Sequence, residues 1–219
     1  MQLYYFNGSP FAWRIQLALA LKDVDYDPKI LSYSEGQHQA PSYLQLNPRG
    51  KVPTLVDGEV VVRESIAILA YLDRKYDWQW FGTSPQATGA IWQQIMDIES
   101  FLVPIMMKFV HPIVLRQLDS KSEQVIHASM QLAEELSRLN EQLLGRTWLV
   151  GNDVSAADVL TYPLIKFIER IAGNPAIAPL DISLLPLETQ FPMLVNWVKT
   201  LEALPRVKET YPPTWKPAK

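Results

Sequence analysis

The sequence predicts two domains in series: a small α/β domain built on a mixed sheet, then an all-helical domain. Three observations carry this. Strand-like and helix-like segments alternate over the first third of the chain. Asp57-Gly58 stands between two short apolar runs, a strong hairpin signal. Beyond a stretch holding Gly82, Thr83, Ser84 and Pro85, only long helical spacing remains.

The elements follow in order. Gln2 to Phe6 is short, aromatic and β-prone. Asn7-Gly8-Ser9-Pro10 reads as a turn carrying a helix-start signal. Ala12 to Lys22 reads as a helix, with Ile15, Ala18, Leu19 and Leu21 on one broad apolar side. Tyr26 to Leu31 is a second strand candidate, and a helical or irregular stretch follows. Thr54 to Val56 and Val60 to Val62 form the hairpin, and Glu64 to Tyr76 returns to helical spacing. A helix crossover gives a parallel pair and the hairpin adds an antiparallel one. The order β-α-β-α-β-β-α is a thioredoxin-like arrangement. The expected division is residues 1–78 for this domain, 79–87 for a linker and 88–219 for the helical domain. In the latter, Thr88 to Gln117 is a long helix that Pro104 should kink or break. Val125 to Leu143 is a second long amphipathic helix, which Gly145 is expected to end. Ser155-Ala-Ala-Asp158 is a helix N-cap with an acid at the third position. Phe191 to Leu204 is a last helix, and the tail from Pro205 is expected on the surface.

Composition narrows the function. The 219 residues are 48% apolar and 20% charged, ordinary for a globular protein with a sizeable core. A net charge of -3 implies no general attraction to nucleic acid or anionic membrane. With no cysteine there is no disulfide, thiolate metal site or protein-thiol nucleophile, which fits a reducing compartment. The N-terminal residues lack the pattern of a signal peptide, and no apolar run approaches the ~20 residues that span a bilayer. A cytoplasmic protein is expected.

Three places carry candidate chemistry. Lys51-Val52-Pro53-Thr54 puts a proline just before a strand. With a cis bond, Val52 would present its N–H and C=O to a peptide ligand; read alone, the pair fits a plain trans turn better. Glu64-Ser65 stands at a strand-to-helix junction, where helix-start amides and a hydroxyl bind a carboxylate and Glu64 meets an ammonium. Read alone, it fits a simple N-cap. Ser9 precedes Pro10 at the first helix start, either as a cap or as a hydroxyl donor to an anion. A thiol of pKa ~8.5 is mostly un-ionised at neutral pH, and lowering that pKa by ~2 needs about 2.7 kcal/mol of thiolate stabilisation. One hydroxyl and helix-start amides can supply it. Tyr5 or Tyr4 is the rival hydroxyl, although Tyr5 is expected to pack under the sheet.

Ser9-Pro-Phe-Ala-Trp-Arg14-Ile-Gln-Leu-Ala-Leu19, Asn47-Pro-Arg-Gly-Lys-Val-Pro-Thr-Leu55 and Glu64-Ser-Ile-Ala-Ile-Leu-Ala-Tyr-Leu72 together resemble the soluble glutathione transferases, serine-type, with zeta, tau and theta features. The resemblance implies Ser9 as thiol activator, five residues before Arg14 as in zeta and tau enzymes. It implies Val52 and Pro53 as a backbone clamp on the cysteinyl part, and Glu64 and Ser65 as the γ-glutamyl site. Gly36-Gln37-His38 resembles the theta stretch that reaches the glycyl carboxylate, with Lys51 beside it; an ordinary exposed loop histidine is the alternative for His38. Asp158 matches the family's folding-related cap. Phe11, Met107 and His111 are candidates for an electrophile pocket between domains, where helical spacing also fits plain core. In theta enzymes the serine stands one place closer to the arginine, so class features are mixed.

The implied function is conjugation of the glutathione thiolate to hydrophobic electrophiles, or reduction of a peroxide, by a homodimer needing no metal. Glutathione is the co-substrate. A zeta-like isomerase is an alternative, for which only Arg14 offers a pocket cation and the zeta-like doubled serine is missing. A non-catalytic ligand carrier or assembly module is another. A glutaredoxin-type enzyme is disfavoured by the missing cysteine.

Overall fold

A computed structural model describes residues 1–180, 182 and 184–215. Its contacts divide the chain into two compact units, one of residues 1–81 together with the segment from Glu202, the other of residues 82–201.

The first unit holds a four-stranded sheet of order β2-β1-β3-β4: β1 (Gln2–Tyr5), β2 (Asp27–Ile30), β3 (Thr54–Asp57) and β4 (Val60–Arg63). β1 runs parallel to β2, with Gln2 opposite Asp27, and antiparallel to β3, with Leu3 opposite Leu55. β3 and β4 form the hairpin announced by Asp57-Gly58, and Gly58 takes φ +62. β2 is a mostly exposed edge, which is where Pro28 can sit without leaving a ladder bond unmade. Among the described residues the α-helices of this unit are α1 (Pro10–Leu21), α2 (Pro41–Leu46) and α3 (Ser65–Tyr76). Leu3, Leu55, Ile68, Leu69 and Leu72 are fully buried in its core.

α1 departs from the one-sided helix that the spacing suggested. Ala12, Trp13, Arg14, Ile15, Leu17, Ala18 and Leu19 are all buried, whereas Leu21 is only partly covered. A helix apolar all round needs cover on several sides. α3 supplies part of it and the segment after residue 202 supplies more. That segment was expected on the surface and within the helical domain. Instead it packs with the first unit through a 3₁₀ turn at Val207–Thr210, with Val207 fully buried and Trp215 nearly so.

The second unit is helical: α4 (Pro85–Asp97), α5 (Val103–Val114), α6 (Leu118–Gln142), α7 (Ala156–Ala172), the short α8 (Leu187–Gln190) and α9 (Pro192–Glu202). α4 begins inside the expected linker, because Ser84 caps it by accepting from Ala87 N–H at 3.2 Å. Between α4 and α5 the backbone takes a π-helical turn at Ile98–Leu102, directly before Pro104. Proline removes one N–H and crowds the preceding turn; here the wider turn absorbs that defect, so the helix is modified where the sequence expected a kink or break. α5 packs on α6 and α7. Among the described residues no helix is long and apolar enough to cross a membrane.

Candidate active site

The site starts with two helix N-termini in the first unit. Ser9 caps α1 in extended conformation, with φ −75° and ψ 118°, and its Oγ accepts from Ala12 N–H at 3.3 Å. The hydroxyl is half-buried, and because its oxygen serves as acceptor, its proton remains for another partner. Ser65 opens α3 and is buried; its Oγ accepts from Arg14 Nη1 at 3.0 Å. That bond likewise leaves the Ser65 proton as a donor. Arg14 is itself buried, with its guanidinium 5.0 Å from the Phe11 ring centroid. Neither helix carries an acidic residue in its first turn; α1 has none at its cap either, whereas Glu64 stands at the cap of α3.

A cleft of about 190 Å³ is lined by Phe11, Asn47, Lys51, Val52, Pro53, Glu64 and Ser65. The Val52–Pro53 peptide bond is cis, so the plain trans turn that the residues alone favoured is corrected. The loop is held from behind. Lys51 C=O accepts from Asn47 Nδ2 at 2.7 Å and from Tyr43 Oη at 2.5 Å, and both groups also reach Thr54 Oγ1. Burial of the Tyr43 ring pushes its phenol above the ordinary range. Glu64 is no simple cap: it makes no side-chain cap bond and holds φ +67°, ψ 123°, a costly conformation for a residue with a Cβ. Glu64 and Lys51 are both exposed, and neither forms an ion pair among the described residues. The cleft therefore offers one open carboxylate, one open ammonium and a helix start between them.

Larger hollows lack that combination; one of about 350 Å³ beside Tyr4 and Tyr43 has no charged residue in its lining. Another, of about 370 Å³ in the helical unit, holds Arg138, which pairs with Glu135 at 3.6 Å. A third, of about 410 Å³ beside Tyr5 and Tyr26, holds Arg206, which pairs with Asp23. These two cations already have partners.

The structure thus brings together Phe11, Lys51, Val52, Pro53, Glu64 and Ser65, while Ser9 and His38 do not line the cleft. His38 is no exposed loop histidine. It is half-buried, stacked on Tyr33 at 4.9 Å and edge-on to Phe6 at 5.3 Å, and its Nδ1 is buried with no hydrogen-bond partner. Tyr5 packs beneath the sheet as expected: burial, and then the neighbouring Tyr26, push its phenol up to about 12. Tyr4 faces elsewhere, donating to Gln2 Oε1 at 3.2 Å. Met107 and His111 lie on α5, half-buried and exposed respectively. Asn47 and Tyr43 were not singled out as site residues. Asn47 stands in the Asn-Pro-Arg-Gly turn, where its Oδ1 accepts from Arg49 N–H at 3.1 Å, and an Asx turn directly before a Val-Pro pair was the available signal.

The family description "Glutathione S-transferase, N-terminal domain" matches residues 1–74, and "Glutathione S-transferase, C-terminal domain" matches residues 102–205. The chain is 31% identical to glutathione S-transferase 1 of Dianthus caryophyllus over 79% of its own length and 78% of that protein's. It is 28% identical to a zeta-class glutathione S-transferase of Euphorbia esula, over 97% and 90%. The crystal structure of a glutathione S-transferase from the Antarctic clam Laternula elliptica superposes with a TM-score of 0.80 at 27% identity, covering all of this chain and 94% of that one.

Proposed function

The chain belongs to the glutathione S-transferase family and is an enzyme of it, and we propose that the cleft of the first unit binds glutathione while Ser9 stabilises its thiolate for attack on a hydrophobic electrophile. The supporting observation is the open pair of opposite charges, Lys51 and Glu64, flanking Ser65 at a helix start. Glutathione carries a zwitterion at one end and a lone carboxylate at the other. The α-carboxylate of its γ-glutamyl part suits the Ser65 hydroxyl and the α3 amides, with Glu64 taking the ammonium. Lys51 suits the glycyl carboxylate, and His38 adds a buried ring nitrogen nearby in sequence. Val52 and Pro53 clamp the cysteinyl part. Ser9 then donates its proton to the sulfur, helped by the amides of α1. The thiolate adds to an electrophilic carbon, and the same anion would serve peroxide reduction.

Phe11, which lines the cleft, is proposed to meet the electrophile. A cytoplasmic homodimer acting on small hydrophobic electrophiles completes the reading, supported by family membership. The isomerase alternative draws less support, because Arg14 is buried and donates to Ser65 instead of standing open as a substrate cation.

The test is Ser9→Ala. Losing the hydroxyl's share of the thiolate stabilisation, about 1–2 units of thiol pKa, lowers kcat/KM at neutral pH about 3- to 25-fold while glutathione affinity stays close to wild type. Conjugation assays on an electrophile panel, with calorimetric titration of glutathione, check both. Undiminished turnover in Ser9→Ala would remove Ser9 from the mechanism.

A further inference from the structure

The segment after α9 is built against the turn that presents Ser9. Trp13, fully buried on α1, donates its indole N–H to Thr210 Oγ1 at 2.7 Å. Its ring meets Tyr211 at 5.4 Å and Trp215 at 5.3 Å, both edge-on. Tyr211 and Trp215 meet each other edge-on at 5.9 Å. An exposed ion pair between Arg206 and Asp23 anchors the start of the segment near the end of α1. The last described residues then reach Gly8. A Cβ placed on Gly8 would lie 2.7 Å from Trp215 Nε1 and 2.9 Å from Thr214 Oγ1. Gly8 holds φ +89°, a conformation that glycine takes freely and other residues rarely do. Backbone, indole and hydroxyl are therefore in close contact one residue before the cap.

We propose that Trp215 and Thr214 are positioning residues for Ser9: pressed on Gly8, they fix the turn that aims the Ser9 hydroxyl. This rests on Ser9 being the thiol activator. A hydrogen bond weakens steeply as its length and angle depart from the optimum. Ser9 is held on its helix side by its C=O, which accepts from Trp13 N–H at 2.9 Å, and by its Oγ, which accepts from Ala12 N–H at 3.3 Å; its N–H donates to Phe6 C=O at 3.2 Å. Packing against Gly8 adds a restraint on the turn side, where the single bond is a long one. Thiolate stability is thereby tied to the segment that closes over α1, some two hundred residues away in sequence.

The experiment titrates the thiol of bound glutathione by the ultraviolet absorbance of the thiolate, in the full chain. Trp215→Ala should raise the bound thiol's pKa by about one unit, a tenfold change in its ionisation constant, with glutathione affinity changed less than about threefold. Trp215→Phe keeps an aromatic body on Trp13 but loses the indole nitrogen nearest Gly8, so it should raise the pKa too, by less than Trp215→Ala. In a Ser9→Ala background, Trp215→Ala should add no further shift. Gly8→Ala leaves the segment intact and drives a Cβ into Trp215, so it should raise the pKa as well. A wild-type titration in Trp215→Ala or in Gly8→Ala overturns the proposal, as does an equal shift with and without Ser9. If Ser9→Ala alone leaves the thiol unshifted, the activator reading itself fails and carries this proposal with it. A shift in Ser9→Ala with none in Trp215→Ala sinks the positioning role alone.

Discussion

The serines that cap α1 and α7 are used in opposite ways. At α7, Ser155 is buried, and both its N–H and its hydroxyl donate to Asp158 Oδ2, at 3.0 and 2.9 Å. The other oxygen of Asp158 accepts from Leu149 N–H at 2.9 Å and from the Trp197 indole at 2.8 Å. At α1, Ser9 is half-exposed, accepts one bond and has no acid beside it. The first helix start is saturated from within and has nothing left for a ligand. The second keeps its positive dipole end and its hydroxyl proton open. The difference separates a cap that holds the fold from a cap available to chemistry, although both read as capping serines from sequence.

The comparison breaks most visibly at Asp158. Burial raises its carboxyl above the ordinary range, against the opposing pull of the donors around it. Asp158→Ala leaves Leu149 N–H and the Trp197 indole N–H without this acceptor in a buried place, so a loss of about 3–4 kcal/mol is expected. Urea unfolding followed by tryptophan fluorescence reads it. Transferase activity per folded molecule should stay near wild type. A stable Asp158→Ala with impaired catalysis would reverse the assignment and make α7 a functional terminus.

Glu64 sharpens the contrast from the other side, because there the fold gives up stability for an open site. Its φ of +67° costs about 1–3 kcal/mol for a side-chain-bearing residue, whereas glycine takes that conformation freely at a smaller entropic cost. Glu64→Gly should therefore be more stable than wild type by about 1 kcal/mol and bind glutathione about tenfold more weakly. Denaturation midpoints and calorimetry read the two effects together. A variant that loses stability would show that the backbone there is not strained in the folded chain.

Much of this was legible in the sequence, for identifiable reasons. Asp57-Gly58, Ser9-Pro10 and Ser155 with Asp158 are short-range signals whose partners lie within a few residues, so hairpin, helix start and cap could be read directly. The cis bond at Pro53 and the open charges of Lys51 and Glu64 followed from the family motif more than from the residues alone. What stayed hidden depends on distant partners. Nothing near Trp13 in sequence announces Thr210, Tyr211 or Trp215, so the last segment read as a polar surface tail. Arg14 shows its purpose only once Ser65 is beside it. The π turn before Pro104 reflects a local choice between kinking and widening that spacing does not decide.

Tyr5 offers the smallest effect and a direct check on which hydroxyl is the open one. Its phenol is buried beside Tyr26, whose own hydroxyl accepts from Gln16 Nε2 at 3.2 Å, and it faces the hollow at Arg206 and Tyr211 instead of the cleft. Tyr5→Phe should therefore change kcat/KM by less than about twofold. The same burial has a signature at alkaline pH. The folded-state pKa of about 12 lies above the ordinary 10.0, so the fold favours the protonated phenol. The stability this gives is complete below pH 10 and is lost as pH rises through about 12. Wild type should lose stability across that window by more than Tyr5→Phe does, and a late-titrating tyrosine should vanish from the absorbance titration of the variant. If instead Tyr5→Phe lowered kcat/KM as far as Ser9→Ala, the open hydroxyl would belong to the strand and not to the helix start, and the contrast between the two serines would lose its functional half.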